Sequence, residues 1–229
     1  MIGIICAMQI EIDKINEAIE NKRTETVSGI VFTSGTLHGK EVVTAVSGVG
    51  KVFAAICTEA MILRYNPDAI INTGVAGTLT HKLGICDVAV SAQVVQHDMD
   101  TSPLGDPVGL LSGINIVKIP ADEKIAKEMA ACVEKIGLKS LIGTIASGDQ
   151  FINSAEKKSF IAKEFDAIAC EMEGGSVGHV CYVNHTPFAV IRAISDGAGD
   201  DSHMDYPTFA SIAAQKSAEA VKLFVKECC

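Results

Sequence analysis

The chain has 229 residues, 48% of them hydrophobic, and a formal charge of -9, with three arginines, Arg23, Arg64 and Arg192. That length supports one sizeable core, so a single domain over residues 1–229 is expected. The acidic balance excludes a nucleic-acid backbone or an anionic membrane as the main partner, since either favours clustered Lys and Arg. No run approaches the roughly 20 apolar residues of a membrane span. The opening MIGIICAMQIEI lacks the basic lead and cleavage pattern of a secretory signal, so the cytoplasm is the expected location. Of the eight cysteines, Cys6, Cys57, Cys86, Cys132, Cys170 and Cys181 sit singly in apolar segments without metal-ligand spacing, and read as small core residues in a reducing compartment. The terminal Cys228-Cys229 pair reads as a frayed end.

Apolar periodicity predicts a buried strand at IGIIC and an amphipathic helix over 9–20 carrying Ile10, Ile15 and Ile19. After a charged turn, GIVFTSGTL and EVVTAVS alternate as strands joined at His38-Gly39-Lys40, the pattern of a hairpin. A helix over 51–65 stops before Pro67. DAIINTG and DVAVSAQVV are further strands, and residues 98–119 form the longest irregular segment, which suggests a lid or binding loop. A helix over 121–136, strand LIGTIASGD, helix 154–164, strand AIACEME, a helix from about 174, strand FAVIRAISD and a final helix over 206–226 complete the order. Alternating strands and helices predict an α/β fold with a central mixed, largely parallel β-sheet flanked by helices.

In such sheets ligands gather beyond the carboxyl ends of the strands. Strand one delivers Met8 and Glu11 there; EVVTAVS delivers GVGK with Val49; DAIINTG delivers Val75, Ala76 and Gly77. LIGTIASGD leads to Phe151 and Ile152, AIACEME ends in Met172 and Glu173, and FAVIRAISD carries Arg192, Ser195 and Asp196. Each carboxylate also has a structural reading. Glu11 suits the positive end of a helix dipole, Glu173 a helix cap, and Asp196-Gly197 a turn. Arg192 lies inside AVIRAI, where an unpaired guanidinium would be costly, so it must meet a carboxylate, a wet cleft or a ligand. GVGKVF lacks the third glycine of a dinucleotide fingerprint and no P-loop occurs. His97, Asp98 and Asp100 could ligate a metal, but without a second cluster a surface or lid role is expected.

Taken in order, GIICAMQIEI, SGVGK, INTGVAG, SGDQFIN, CEMEGGSVGHV and VIRAISDGAG resemble the bacterial 5′-methylthioadenosine/S-adenosylhomocysteine nucleosidases of the purine nucleoside phosphorylase-like superfamily. The match runs from residue 1 to the last helix. The resemblance implies a homodimeric three-layer α/β sandwich, without metal or organic cofactor, that uses water to split 5′-thioadenosines into adenine and a 5′-thioribose. By the same resemblance, Glu11 activates the water, Arg192 helps to hold it, and Asp196, assisted by Ser195, protonates adenine N7. Glu173 grips the ribose hydroxyls with Met172 against the sugar, Phe151 stacks on adenine, the Ile152 backbone reads its edge, and Met8, Val49, Ala76, Gly77 and Tyr206 complete the pocket.

The chemistry suits that set. Breaking the bond builds positive charge on the sugar and negative charge on the base, so one carboxyl must take a proton and the other give one. Donation requires Asp196 to be protonated, which asks that burial raise its carboxyl above the usual value of about 3.9. Glu171 is expected to face elsewhere, and Gly174-Gly175 to leave room for a turn. Departures from the family pattern fall at Val75, commonly a serine, at the 98–119 loop, and at Tyr206, commonly a phenylalanine. Two rivals remain: a phosphorylase using phosphate, and an inactive nucleoside-binding protein on the same fold.

Overall fold

The structure, a computed structural model, describes residues 1–196 and 206–229, and the side chains of all of these except 206 and 207. β1 (Ile2–Cys6) leads into α1 (Gln9–Ala18). β2 (Glu20–Val27), β3 (Ile30–Leu37) and β4 (Lys40–Val46) then run as an antiparallel meander. α2 (Lys51–Tyr65) precedes β5 (Ala69–Thr78) and β6 (Val88–Gln96); a short 3-10 turn and β7 (Ile119–Pro120) lie in the long connection to α3 (Glu123–Lys135). β8 (Ser140–Ser147), α4 (Ala155–Phe165), β9 (Ala167–Glu171), α5 (Gly174–Val183), β10 (Phe188–Asp196) and α6 (Tyr206–Cys228) follow.

The sheet is mixed, as expected. Beside β1 lie β4 and β5, both parallel to it, and β10 runs parallel to β5 along nearly its whole length. β5 is longer than its apolar run suggested. Its first half pairs with β1, and its end departs to meet β9 at Gly77↔Cys170. With β9–β8, β8–β6 and β6–β10 also paired, one half of the sheet closes into a ring, which no single segment announces. Ile12, Ile15 and Ile19 pack with α3 and α6 in one apolar cluster, whereas Cys57, Met61, Val177 and Cys181 of α2 and α5 belong to another with Ile5 and Val190. No helix among the described residues is long and apolar enough to cross a membrane.

The predicted charged turn after α1 is β2. Its residues are almost all exposed, so it carries no apolar alternation, and its charges suit an edge strand that, among the described residues, pairs only with β3. Arg23 therefore stands on a strand, not in a turn. Ser28 and Gly29 both have positive φ, as do His38 and Gly39, the requirement of two-residue hairpin turns that match the twist of the strands.

Candidate active site

A cleft opens at the carboxyl ends of β1, β4, β5, β8, β9 and β10. Met8, Glu11, Val49, Ala76, Gly77, Phe151, Ile152, Met172, Glu173, Ser195 and Asp196 all border it. Arg192 does not; the side chain of Tyr206 and all of residues 197–205 lie outside the described residues. Leu79, Lys158, Cys170 and Glu171 also line the cleft, and sequence reasoning had not assigned them there.

Glu11 is 4% exposed. Its carboxylate accepts the backbone N–H of Ala7 (3.0 Å), Met8 (2.9 Å) and Val75 (3.1 Å). The helix-start reading of this residue and its place in the cleft are thus both met, because Met8 is the N-cap of α1. Burial pushes the Glu11 carboxyl up, against the pull of Arg192 and the three N–H groups. Room for it comes from Gly74, where a Cβ would stand 2.6 Å from Oε1.

A second glycine serves Asp196. A Cβ on Gly77 would lie 2.7 Å from Asp196 Oδ2. The β10–β5 register shifts between Ile194 and Asp196. An irregularity of this kind lets neighbours on one strand share a face, and Ser195 and Asp196 both reach the cleft. The Ser195 hydroxyl donates to Asp196 Oδ1 at 3.1 Å.

Glu171 and Glu173 divide the roles that the sequence left open. The expectation that Glu171 faces elsewhere is corrected: it is 6% exposed and directed inward. It accepts the N–H of Glu173 (3.0 Å) and of Gly174 (2.8 Å), so it caps α5, and it also accepts the Ser147 hydroxyl and the Arg192 guanidinium. Residues two apart on an extended chain share a face, which was the available signal. Burial opposes its charge, yet Arg192, Ser147 and the Gly174 N–H hold the Glu171 carboxyl below the usual range. Gly174 and Gly175 are helical rather than a turn. A Cβ on Gly175 would meet the Val95 carbonyl at 2.8 Å, so the need there is close packing.

Glu173 stands at the N-cap position of α5 but makes no side-chain cap. Its Oε1 accepts the Gly50 N–H at 2.9 Å, and its Oε2 lies 3.8 Å from Arg192. Burial first, then the Glu171 charge, push its carboxyl up to about 7 against Arg192 and the Gly50 N–H. Because the folded protein binds this proton more tightly than the unfolded chain, stability falls as pH rises from about 4.5 through about 7. Removing the charge should therefore help the empty protein above that window. Glu173→Gln is expected to raise the melting temperature at pH 8 by roughly 5 °C or more, from about 3 kcal/mol, and to change little near pH 4. Thermal melts at the two pH values check this, and equal shifts at both would count against it.

Arg192, 1% exposed, sits behind the cleft. Besides Glu171 it donates to Asn72 Oδ1 at 2.5 Å and to the Asn72 carbonyl at 3.2 Å. Of the alternatives the sequence allowed, it has met a carboxylate. His97 and Asp98 correct the surface reading: His97 is 8% exposed against Gly148, and Asp98 pairs with Lys51 at 2.6 Å and accepts the Asp149 N–H at 2.9 Å. Lys51 is the cation that draws this segment inward. Asp100 accepts the Ser102 N–H at 2.8 Å within the loop.

Comparison with known proteins sets the class. The family model of the phosphorylase superfamily matches residues 1–226. A Shewanella sp. (strain W3-18-1) 5′-methylthioadenosine/S-adenosylhomocysteine nucleosidase is 38% identical over 99% of this chain and 98% of its own. Among solved structures, a Helicobacter pylori MTAN mutant with 5′-methylthioadenosine in the active site superposes with a TM-score of 0.94 at 36% identity, covering 99% of this chain and 98% of that one. Futalosine hydrolase of Helicobacter pylori strain 26695 gives 0.93 at 37%, covering 99% and 97%. The chain belongs to the phosphorylase superfamily and, within it, to the 5′-methylthioadenosine/S-adenosylhomocysteine nucleosidase family of N-glycosyl hydrolases.

Proposed function

We propose that this chain hydrolyses the N-glycosidic bond of 5′-methylthioadenosine and S-adenosylhomocysteine, releasing adenine and the 5′-thioribose. The observation that carries the reading is a pair of buried carboxylates, Glu11 and Asp196, bordering one cleft, each beside a glycine of β5 that leaves it room. Glu11 takes a proton from the attacking water as its oxygen bonds to C1′. Asp196, protonated and oriented by Ser195, gives a proton to N7 as the C1′–N9 electron pair passes to the base. Glu173 accepts from the ribose hydroxyls, with Met172 against the sugar. Phe151, Ile152 and the Ala76-Gly77 backbone contact adenine, and Met8 and Val49 border the remainder. Arg192 is separated from the cleft by Glu171; its share is to hold Glu171 ionised and to draw electrostatically on Glu173 and Glu11.

Water is preferred to phosphate because the carboxylate of Glu11 would repel an anion where attack must occur, and Lys158, a cation that borders the cleft, lies against Asp196 instead. Incubation with 5′-methylthioadenosine and with S-adenosylhomocysteine, each with and without phosphate, tests this. Adenine and free thiosugar at a phosphate-independent rate are expected. Sugar 1-phosphate would assign a phosphorylase, and absence of turnover a binding protein. The similarity to futalosine hydrolase makes a futalosine-type nucleoside the third substrate to include.

The homodimer belongs to the same reading. Val52, Phe53, Ile56 and Leu63 of α2 are 40–75% exposed, an apolar face that a second copy would cover. Sedimentation should give twice the chain mass, and a monomer at assay concentration would remove this part. Cytoplasmic location, where such substrates arise, completes the proposal.

A further inference from the structure

Lys158 is a buried lysine. It is 6% exposed and shares the inner stripe of α4 with Ile161 and Phe165, while Lys157 and Lys163 of the same helix face outward. Its Nζ stands 3.7 Å from Asp196 Oδ2, with both side chains more than nine-tenths buried, and it borders the cleft. A surface lysine could sit anywhere on the outer face of α4; one on the inner face bears a desolvation cost that a counter-charge must offset. The groups that face Asp196 include the Ser195 hydroxyl from β10, the Gly77 backbone from β5, the Cys170 thiol from β9, on which its charge acts, and Lys158 from α4.

Burial alone favours the protonated carboxyl that donation requires; an ammonium 3.7 Å away favours the ionised one. We propose that Lys158 is the counter-charge of the general acid, a positioning residue that holds Asp196 as a carboxylate in the empty cleft and stabilises the carboxylate re-formed after its proton has gone to N7. This inference rests on the reading of Asp196 given above. In each turnover the carboxylate takes a proton from solvent and passes it to N7 as the C1′–N9 bond breaks. Water bonds to C1′ and loses its proton to Glu11. Lys158 thereby makes Asp196 the stronger donor, at the cost of loading it only at lower pH.

The test is the pH profile of kcat/KM, with kcat and KM separated, for the wild type, Lys158→Met, Lys158→Arg and Asp196→Asn. In Lys158→Met the alkaline limb should move up by about 1–3 pH units. Below the limb, kcat should fall about tenfold, the low end of a general-acid contribution lost in part, with KM changing far less. Lys158→Arg should keep the limb near its original place. A merely structural lysine would leave the limb where it was in a folded Lys158→Met protein, and that result would overturn the proposal while an inactive Asp196→Asn kept the acid assignment. An active Asp196→Asn would instead remove the acid assignment itself, and this inference with it. Should Lys158→Met not fold, Lys158→Gln is measured and judged in the same way.

Discussion

Glu11→Gln is expected to lower kcat by about 10³-fold while a non-hydrolysable adenosine analogue still binds within about tenfold of the parent affinity. The amide cannot take a proton from water. It also cannot match the site, because three backbone N–H groups point at the two carboxylate oxygens, and an amide nitrogen placed toward any of them is a donor facing a donor. The steric frame is otherwise kept, so loss of turnover without loss of binding isolates the chemical step. Burial has raised the Glu11 carboxyl, and a base must be ionised to act. The parent enzyme should therefore lose kcat/KM on the acid side at a pH above that of an ordinary glutamate. Steady-state kinetics beside calorimetric binding decides the matter; a variant retaining more than a tenth of the parent kcat would show that Glu11 is not the base.

The largest effect on stability is expected at Arg192. Replacing it with Met leaves Glu171 charged and buried without its guanidinium, with Glu173 and Glu11 also deprived of a neighbouring positive charge. Breaking one side of a buried pair typically costs about 3–5 kcal/mol. The loss should be greatest near neutral pH, and it should shrink in acid as Glu171 takes a proton. Adding Glu171→Gln to Arg192→Met should restore part of the loss, because the two residues act as one unit. Urea unfolding at pH 7 and pH 5 measures both effects. A single-variant loss under about 1 kcal/mol, or additive behaviour of the pair, would mean that Glu171 is held mainly by Ser147 and the α5 N–H groups.

Such a network explains why a nucleosidase cleft can hold four carboxyl side chains at once. Glu171 is kept ionised by Arg192 and by the start of α5, while burial lifts Glu11 and Glu173 toward neutrality. Environments that push like groups apart are what allow one carboxyl to accept and another to donate at the same pH.

Much of this was open to the sequence by itself. Local patterns determine the alternation of strand and helix, and the residues that follow each apolar run determine which polar groups gather at the strand ends, because a parallel strand delivers its next few residues to one edge of the sheet. Glu11, Glu173, Ser195 and Asp196 could be named from that alone. What only the tertiary structure decided depends on partners distant in the chain. The strand nature of residues 20–27 comes from pairing with β3, since a polar edge carries no alternation. The inward direction of Glu171, 21 residues from its partner Arg192, is set by that partner and by the start of α5. Lys158 has its meaning only because α4 turns its inner stripe toward Asp196. The apolar spacing of Ile161 and Phe165 marks Lys158 as an inward residue, but a charge is identified by what faces it, and a linear pattern does not contain the facing group.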